Sequence, residues 1–253
     1  MRLLALLLAP LTALAAEKPN ILILYLDDMG WAQPGCYGGK LAPTPNIDSI
    51  AKNGVRFTDG YVAACICSPS RVGLLTGRYQ ARTGHDANSN EGKNPETKNL
   101  VLTETTIAQR LKPLGYATGI FGKWHVGATS PEYLPGNRGF DEAFGTIGNL
   151  SDKMGFYKGK EFVPDPAGAP ITSPIYAREA SSFMERHRAE PWFLYVPFNA
   201  VHSPLVASPE IKARFPDLPK AKQDYAAMIS EVDDAVGAIL AKLRELKLEE
   251  NTL

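Results

Sequence analysis

Residues 20–30 read Asn-Ile-Leu-Ile-Leu-Tyr-Leu-Asp-Asp-Met-Gly. The stretch from Asn20 to Leu26 is apolar without alternation, which suits a strand buried on both faces. It stops abruptly at two carboxylates, Asp27 and Asp28. Working outward, Tyr116 to Phe121 and Trp192 to Phe198 read as further buried strands, and Val55 to Phe57 as a short one. Helices are predicted between them. One covers Ile47 to Lys52, with Asn46 as N-cap and Gly54 past its end. Another is capped by Thr103, turns Ile107, Ala108 and Leu111 inward, and ends near Gly115. A third runs from Ser173 to Arg188. The clearest spans Gln223 to Leu246, where Tyr225, Ile229, Val232, Val236, Ile239, Leu240 and Leu243 fall on one stripe that reads as core packing. Pro131 to Ser173 is rich in Gly, Pro and polar residues and reads as a long excursion. Strands alternating with helices predict an α/β fold: a mostly parallel central sheet with helices on both faces. In such sheets ligands sit beyond the carboxyl ends of the strands. Those ends carry Asp27 and Asp28, then Lys123 and His125, then Asn199 and His202.

The chain has 253 residues, with 27 Lys plus Arg balanced by 27 Asp plus Glu. It is long enough for a sizeable core. No basic run suggests a nucleic-acid partner. Arg2, the apolar run Leu3 to Leu14 and the small residues around Ala13 to Ala16 read as a secretory signal peptide over residues 1–16. The expected product is an exported protein whose catalytic domain occupies 17–253. No stretch is long and apolar enough to predict a membrane span.

Each polar group has a bland reading and a sharp one. An Asp-Asp pair is most often a solvated turn, yet two adjacent carboxylates also offer the hard oxygen donors that suit Ca²⁺ or Mg²⁺. Lys123 and His125 are two apart and share a side of an extended segment. Alone, that pair and the loop residue His202 read as surface, and nothing raises His85 or His187 above it. The odds change at Cys67 to Arg78, Cys-Ser-Pro-Ser-Arg-Val-Gly-Leu-Leu-Thr-Gly-Arg. Ser68 suits an N-cap and Pro69 a first helical turn, which puts Cys67 at the positive end of a helix with Arg71 one turn in. The cysteine count is odd: Cys36, Cys65 and Cys67. Cys65 and Cys67 are too close in sequence to bridge without strain.

The pattern C-x-P-S-R-x-x-x-L-T-G at Cys67 to Gly77 resembles the signature of the sulfatase family, in the alkaline-phosphatase-like superfamily. The segments LDDMG, PGCYGG, TPNIDSIAKNGVRFTDGY, GYATGIFGKWHVG and NAVHSPL match in the same order. The resemblance implies an α/β/α sandwich whose C-terminal part is missing here. It implies that a formylglycine-generating enzyme oxidises Cys67 to formylglycine, leaving Cys36 and Cys65, whose pairing stays open. The hydrated aldehyde would attack the sulfur of a sulfated small molecule or carbohydrate, and the second hydroxyl would then reform the aldehyde as sulfate leaves. By the same resemblance, Asp27, Asp28 and the modified Cys67 bind Ca²⁺, with Mg²⁺ as the alternative. Arg71 holds the modified side chain, Lys123 contacts it and sulfate, His125 handles a proton, and His202 protonates the leaving oxygen. A later Asp-Asn pair and a further lysine that the family uses have no match in this sequence. The expectation is therefore a weakly active or inactive fragment. Two alternatives remain open: a phosphonate or phosphodiester hydrolase using the same modified cysteine, and a non-catalytic binding protein on the same scaffold.

Overall fold

A computed structural model describes residues 18–89, 99–150, 155–163 and 171–253. The expected signal peptide lies outside the described residues. Six strands form one sheet: β1 Ile21–Tyr25, β2 Ala117–Phe121, β3 Glu142–Thr146, β4 Phe156–Lys158, β5 Glu161–Val163 and β6 Trp192–Pro197. Their order is β1-β6-β2-β3-β4-β5. The first four neighbours run parallel, and β4 and β5 add antiparallel at the far edge. At the near edge Thr252 bridges Asn20 in parallel, with Leu22 N donating to Leu253 O at 2.8 Å.

The helices are α1 Pro45–Asn53, α2 Cys67–Thr76, α3 Ile107–Leu111, α4 Ser173–Arg186, α5 Pro209–Lys212 and α6 Lys220–Glu245. Strand side chains alternate between two cores. Trp192, Leu194 and Val196 pack with Phe183 and Met184 of α4 and with Ile229, Val232 and Val236 of α6. Phe193 and Tyr195 face the other way, onto Val72 and Leu75 of α2 and Ala108 of α3. Both faces are covered, which is why the central strands read as unbroken apolar runs.

Four local expectations are corrected. Val55–Phe57 is not a strand: Val55 and Phe57 are 76% and 68% exposed, and β-propensity alone does not hold a strand without a partner. The excursion 131–173 contains β3, β4 and β5: β3, Glu-Ala-Phe-Gly-Thr, has no apolar run, and β4 and β5 have three residues each. The helix expected after Thr103 is capped instead by Thr106, whose side chain and that of Gln109 form a reciprocal capping box. Asn46 does not cap α1. It lies inside the first turn, and the buried Asp233 carboxylate of α6 accepts from Asn46 N, Asn46 Nδ2 and Ile47 N at 3.2, 2.8 and 2.8 Å. A distant carboxylate thus satisfies the free amides and complements the helix dipole.

His187, just past α4, ties that helix to β3. Its ring nitrogens lie 2.8 Å from Glu142 and 2.7 Å from Glu190. Burial opposes its protonation, but hydrogen bonds to Glu190 and Glu142 outweigh this and raise its pKa. A histidine raised in the folded state adds stability fully present below the unfolded value of about 6.5 and lost as pH rises through the folded value. His187→Ala is therefore expected to lower the urea midpoint more at about pH 5 than at about pH 8.5. An equal loss at both would exclude this ion cluster as a source of stability.

Candidate active site

Three loops meet beyond the carboxyl ends of β1, β6 and β2, and α2 points its N-terminus at them. Asp27 N donates to Ala200 O at 2.9 Å and Val201 N donates back to Asp27 O at 2.7 Å, locking the loop after β1 to the loop after β6. Lys123 N donates to Pro197 O at 2.7 Å. That close approach needs Gly122, with φ +153°, where a Cβ would lie 2.1 Å from the Pro197 carbonyl oxygen. Asp28 and His125 both hold left-handed backbone, at φ 59° and 55°. Non-glycine residues there are uncommon and tend to mark functional positions.

The buried Asp27 carboxylate is the hub. Lys123 Nζ donates to it and to Asn149 Oδ1. Arg71 NH2 lies 3.5 Å from it, while Arg71 NH1 donates to Lys123 O at 2.6 Å. The guanidinium also sits 5.1 Å over the Tyr25 ring. Burial pushes the Asp27 pKa up, but Arg71 and Lys123 together override it and hold the carboxyl low. Burial and the neighbouring Arg71 lower Lys123, against the pull of Asp27. His125 is lowered to about 3, first by burial and then by Lys123 and Arg71, so its ring is neutral at neutral pH. Burial raises the Cys67 thiol; Asp27 and Asp28 add to the rise while Lys123 and Arg71 oppose it.

The ligand atoms of Asp27, Cys67 and His202 lie within 4.8 Å of one another. His202 Nε2 is 3.5 Å from Asp28 Oδ2, and Asp28 is more than half exposed. This donor set fits a divalent cation. Among the described residues, Arg71 Nε, Arg71 NH2 and His125 Nδ1 are buried with no hydrogen-bond partner. All seven candidates from the sequence (Asp27, Asp28, Cys67, Arg71, Lys123, His125 and His202) fall in this one region.

Asn149 and Ser89 were not singled out from the sequence. Asn149 follows β3, so the strand-end rule would have pointed to it had β3 been recognised. Asn199 accepts from Tyr176 OH at 2.9 Å and donates to Gly148 O at 3.3 Å, holding the loop that carries Asn149. Ser68 is not an N-cap: α2 begins at Cys67, with Ile66 as a cap that makes no side-chain bond. Instead Ser68 Oγ lies 2.6 Å from His85 Nε2 and 2.8 Å from Ser89 Oγ, and Ser89 Oγ donates to His125 O at 3.2 Å. A buried polar chain thus links the residue after Cys67 to the backbone of His125. No local sequence signal reveals it, because its members are brought together only by the fold.

Comparison with known proteins follows the same boundaries. A family model described as Sulfatase matches residues 19–253. N-acetylgalactosamine-6-sulfatase of Sus scrofa is 35% identical over 262 aligned residues, covering 94% of this chain and 49% of that protein. Arylsulfatase G of Homo sapiens is 32% identical, covering 93% and 50%. The solved structure of Ps i-CgsB in complex with k-i-k-neocarrahexaose superposes with a TM-score of 0.83 at 31% identity, covering 93% of this chain and 57% of that one. The chain spans about half the length of the curated relatives it matches.

Removing one partner from a buried ion cluster leaves uncompensated charge, at a cost of about 3 to 5 kcal/mol. Asp27→Asn is expected to lose that much in urea unfolding, whereas exposed Asp28→Asn is expected to stay within about 0.5 kcal/mol. Similar losses at the two positions would contradict Asp27 as the hub.

Proposed function

This chain belongs to the sulfatase family, and from that premise we propose that it carries the nucleophile and the first metal ligands of a hydrolase of sulfate esters. One observation carries the reading: Asp27, Cys67 and His202 converge within 4.8 Å beside two buried cations, Lys123 and Arg71.

In this reading a formylglycine-generating enzyme converts Cys67 to formylglycine, whose hydrate offers an oxygen nucleophile where a thiol stood. Asp27, Asp28 and the modified residue 67 would hold a hard cation, Ca²⁺ or Mg²⁺, which when bound would supply a lower pKa at the nucleophilic oxygen and positive charge facing the sulfate. Arg71 is pinned by the Lys123 carbonyl and keeps a fixed positive charge behind residue 67. Lys123, with two N–H groups given to Asp27 and Asn149, keeps a third for a sulfate oxygen or the attacking oxygen. His125, neutral in this structure, accepts a proton from residue 67. His202 presents Nε2 to the same space and, as the doubly protonated imidazolium, gives a proton to the leaving oxygen.

The substrate proposed is a sulfated carbohydrate, the chemistry named for the Sus scrofa relative. Export through residues 1–16 belongs to the same reading. No helix among the described residues is long and apolar enough to cross a membrane.

The decisive measurement is the mass of the tryptic peptide 57–71 from a host with the modifying enzyme. The expected loss is about 18 Da, for thiol converted to aldehyde. An intact thiol at position 67 would overturn the proposal. Side-by-side assay of the modified protein with 4-nitrocatechol sulfate and bis(4-nitrophenyl) phosphate checks the reaction class. Preference for the phosphodiester would move it to the phosphonate and phosphodiester branch of the same chemistry.

A further inference from the structure

Before modification, residue 67 is a thiol, and a thiol changes what the cluster can bind. Asp27 follows β1, Cys67 opens α2 and His202 follows β6, so three separate elements deliver one carboxylate, one sulfur and one imidazole to a space 4.8 Å across. No local turn accounts for that convergence. A mixed sulfur, nitrogen and oxygen set is the donor choice of Zn²⁺ and its neighbours, whereas Ca²⁺ and Mg²⁺ take oxygen.

His202 supplies an independent observation. Its Nδ1 lies 2.6 Å from the Ser203 carbonyl oxygen. A carbonyl only accepts, so Nδ1 carries the proton, and in the neutral ring Nε2 keeps a bare lone pair. A backbone carbonyl on one ring nitrogen with the other left free is the usual outer-shell arrangement of a metal-binding histidine. That free Nε2 stands 3.5 Å from Asp28 Oδ2. Two electron-rich atoms face each other there, which calls for a proton or a cation between them. A cation is served by Cys67 and Asp27 as well.

We propose that the unmodified form of this chain binds a thiophilic divalent cation of the Zn²⁺ class through Asp27, Cys67 and His202, with Asp28 closest to the fourth position. Lys123 and Arg71 oppose a cation, but binding releases the Cys67 proton to solvent, and two carboxylates and the resulting thiolate then outnumber them by one charge. The metal preference of the site then follows the state of residue 67: soft while it is a thiol, hard once its sulfur has been replaced by oxygen. The inference goes beyond the hydrolase reading and does not need it, because it concerns only the thiol form.

The test uses protein made without the modifying enzyme, in a Cys36→Ser, Cys65→Ser background, so that Cys67 is the sole thiol. Titration with Co²⁺ alone is expected to give a thiolate-to-cobalt charge-transfer band saturating at one equivalent. Zn²⁺ should displace it and a large excess of Ca²⁺ should not. His202→Ala should weaken Co²⁺ binding by about tenfold or more. In the protein with His202 intact, saturating Zn²⁺ should slow iodoacetamide alkylation of Cys67 by about tenfold or more, because a metal-bound thiolate is shielded. A missing band, displacement by Ca²⁺, or alkylation unchanged by Zn²⁺ each overturns the proposal. So does His202→Ala binding Co²⁺ as tightly while keeping its far-ultraviolet dichroism. None of these results bears on whether modified protein hydrolyses sulfate esters.

Discussion

Everything at this site is arranged around one buried negative charge. The Asp27 carboxylate is 3% exposed and faces the side chains of Lys123 and Arg71. Burying three charges is costly, and their mutual attraction repays it only when geometry is fixed and remaining polar atoms are satisfied. Here the fixing comes from backbone. Asp27 is paired with the loop after β6, Lys123 hangs from Pro197 O, and Arg71 reaches the Lys123 carbonyl. Neither cation is free to relax away from the carboxylate, so the region keeps positive charge aimed at its open side.

The parallel sheet explains why these residues meet at all. β1, β6 and β2 are neighbours running the same way, so their carboxyl ends deliver three loops to one rim. α2 packs on the face formed by Phe193, Tyr195 and Ile120 and brings Cys67 to that rim at a helix N-terminus. Family membership and local chemistry therefore rest on different observations, one on the length of matching chain and the other on the convergence of side chains.

Much of this arrangement was legible in the residues. The central strands announced themselves because both faces are buried, so nearly every position is apolar; Thr118 of β2, whose hydroxyl is hydrogen-bonded, is the exception. The charged residues closing them stood out by contrast. β3 stayed hidden because Glu142, Gly145 and Thr146 break its apolar run, and β4 and β5 because each has three residues and forms an antiparallel edge for which the parallel rule offers no cue. Asn149 was lost with them. The Ser68–His85–Ser89 chain and the Asp233 cap on α1 escaped for another reason: each joins residues distant in sequence, and propensity speaks only about neighbours. Ser68 shows the limit well. Its position suited a cap, but His85 offered its hydroxyl a buried partner.

The left-handed backbone at Asp28 and His125 has a practical consequence for dissecting the region. An L-residue with a Cβ sits there at a cost of about 1 kcal/mol relative to glycine. Alanine at either place deletes the functional group and keeps the torsional penalty. Glycine deletes the group and removes the penalty, so it separates what the side chain contributes from what the backbone shape demands. A chain that grew firmer yet chemically silent after such an exchange would display, at single positions, the trade between robustness and reactivity.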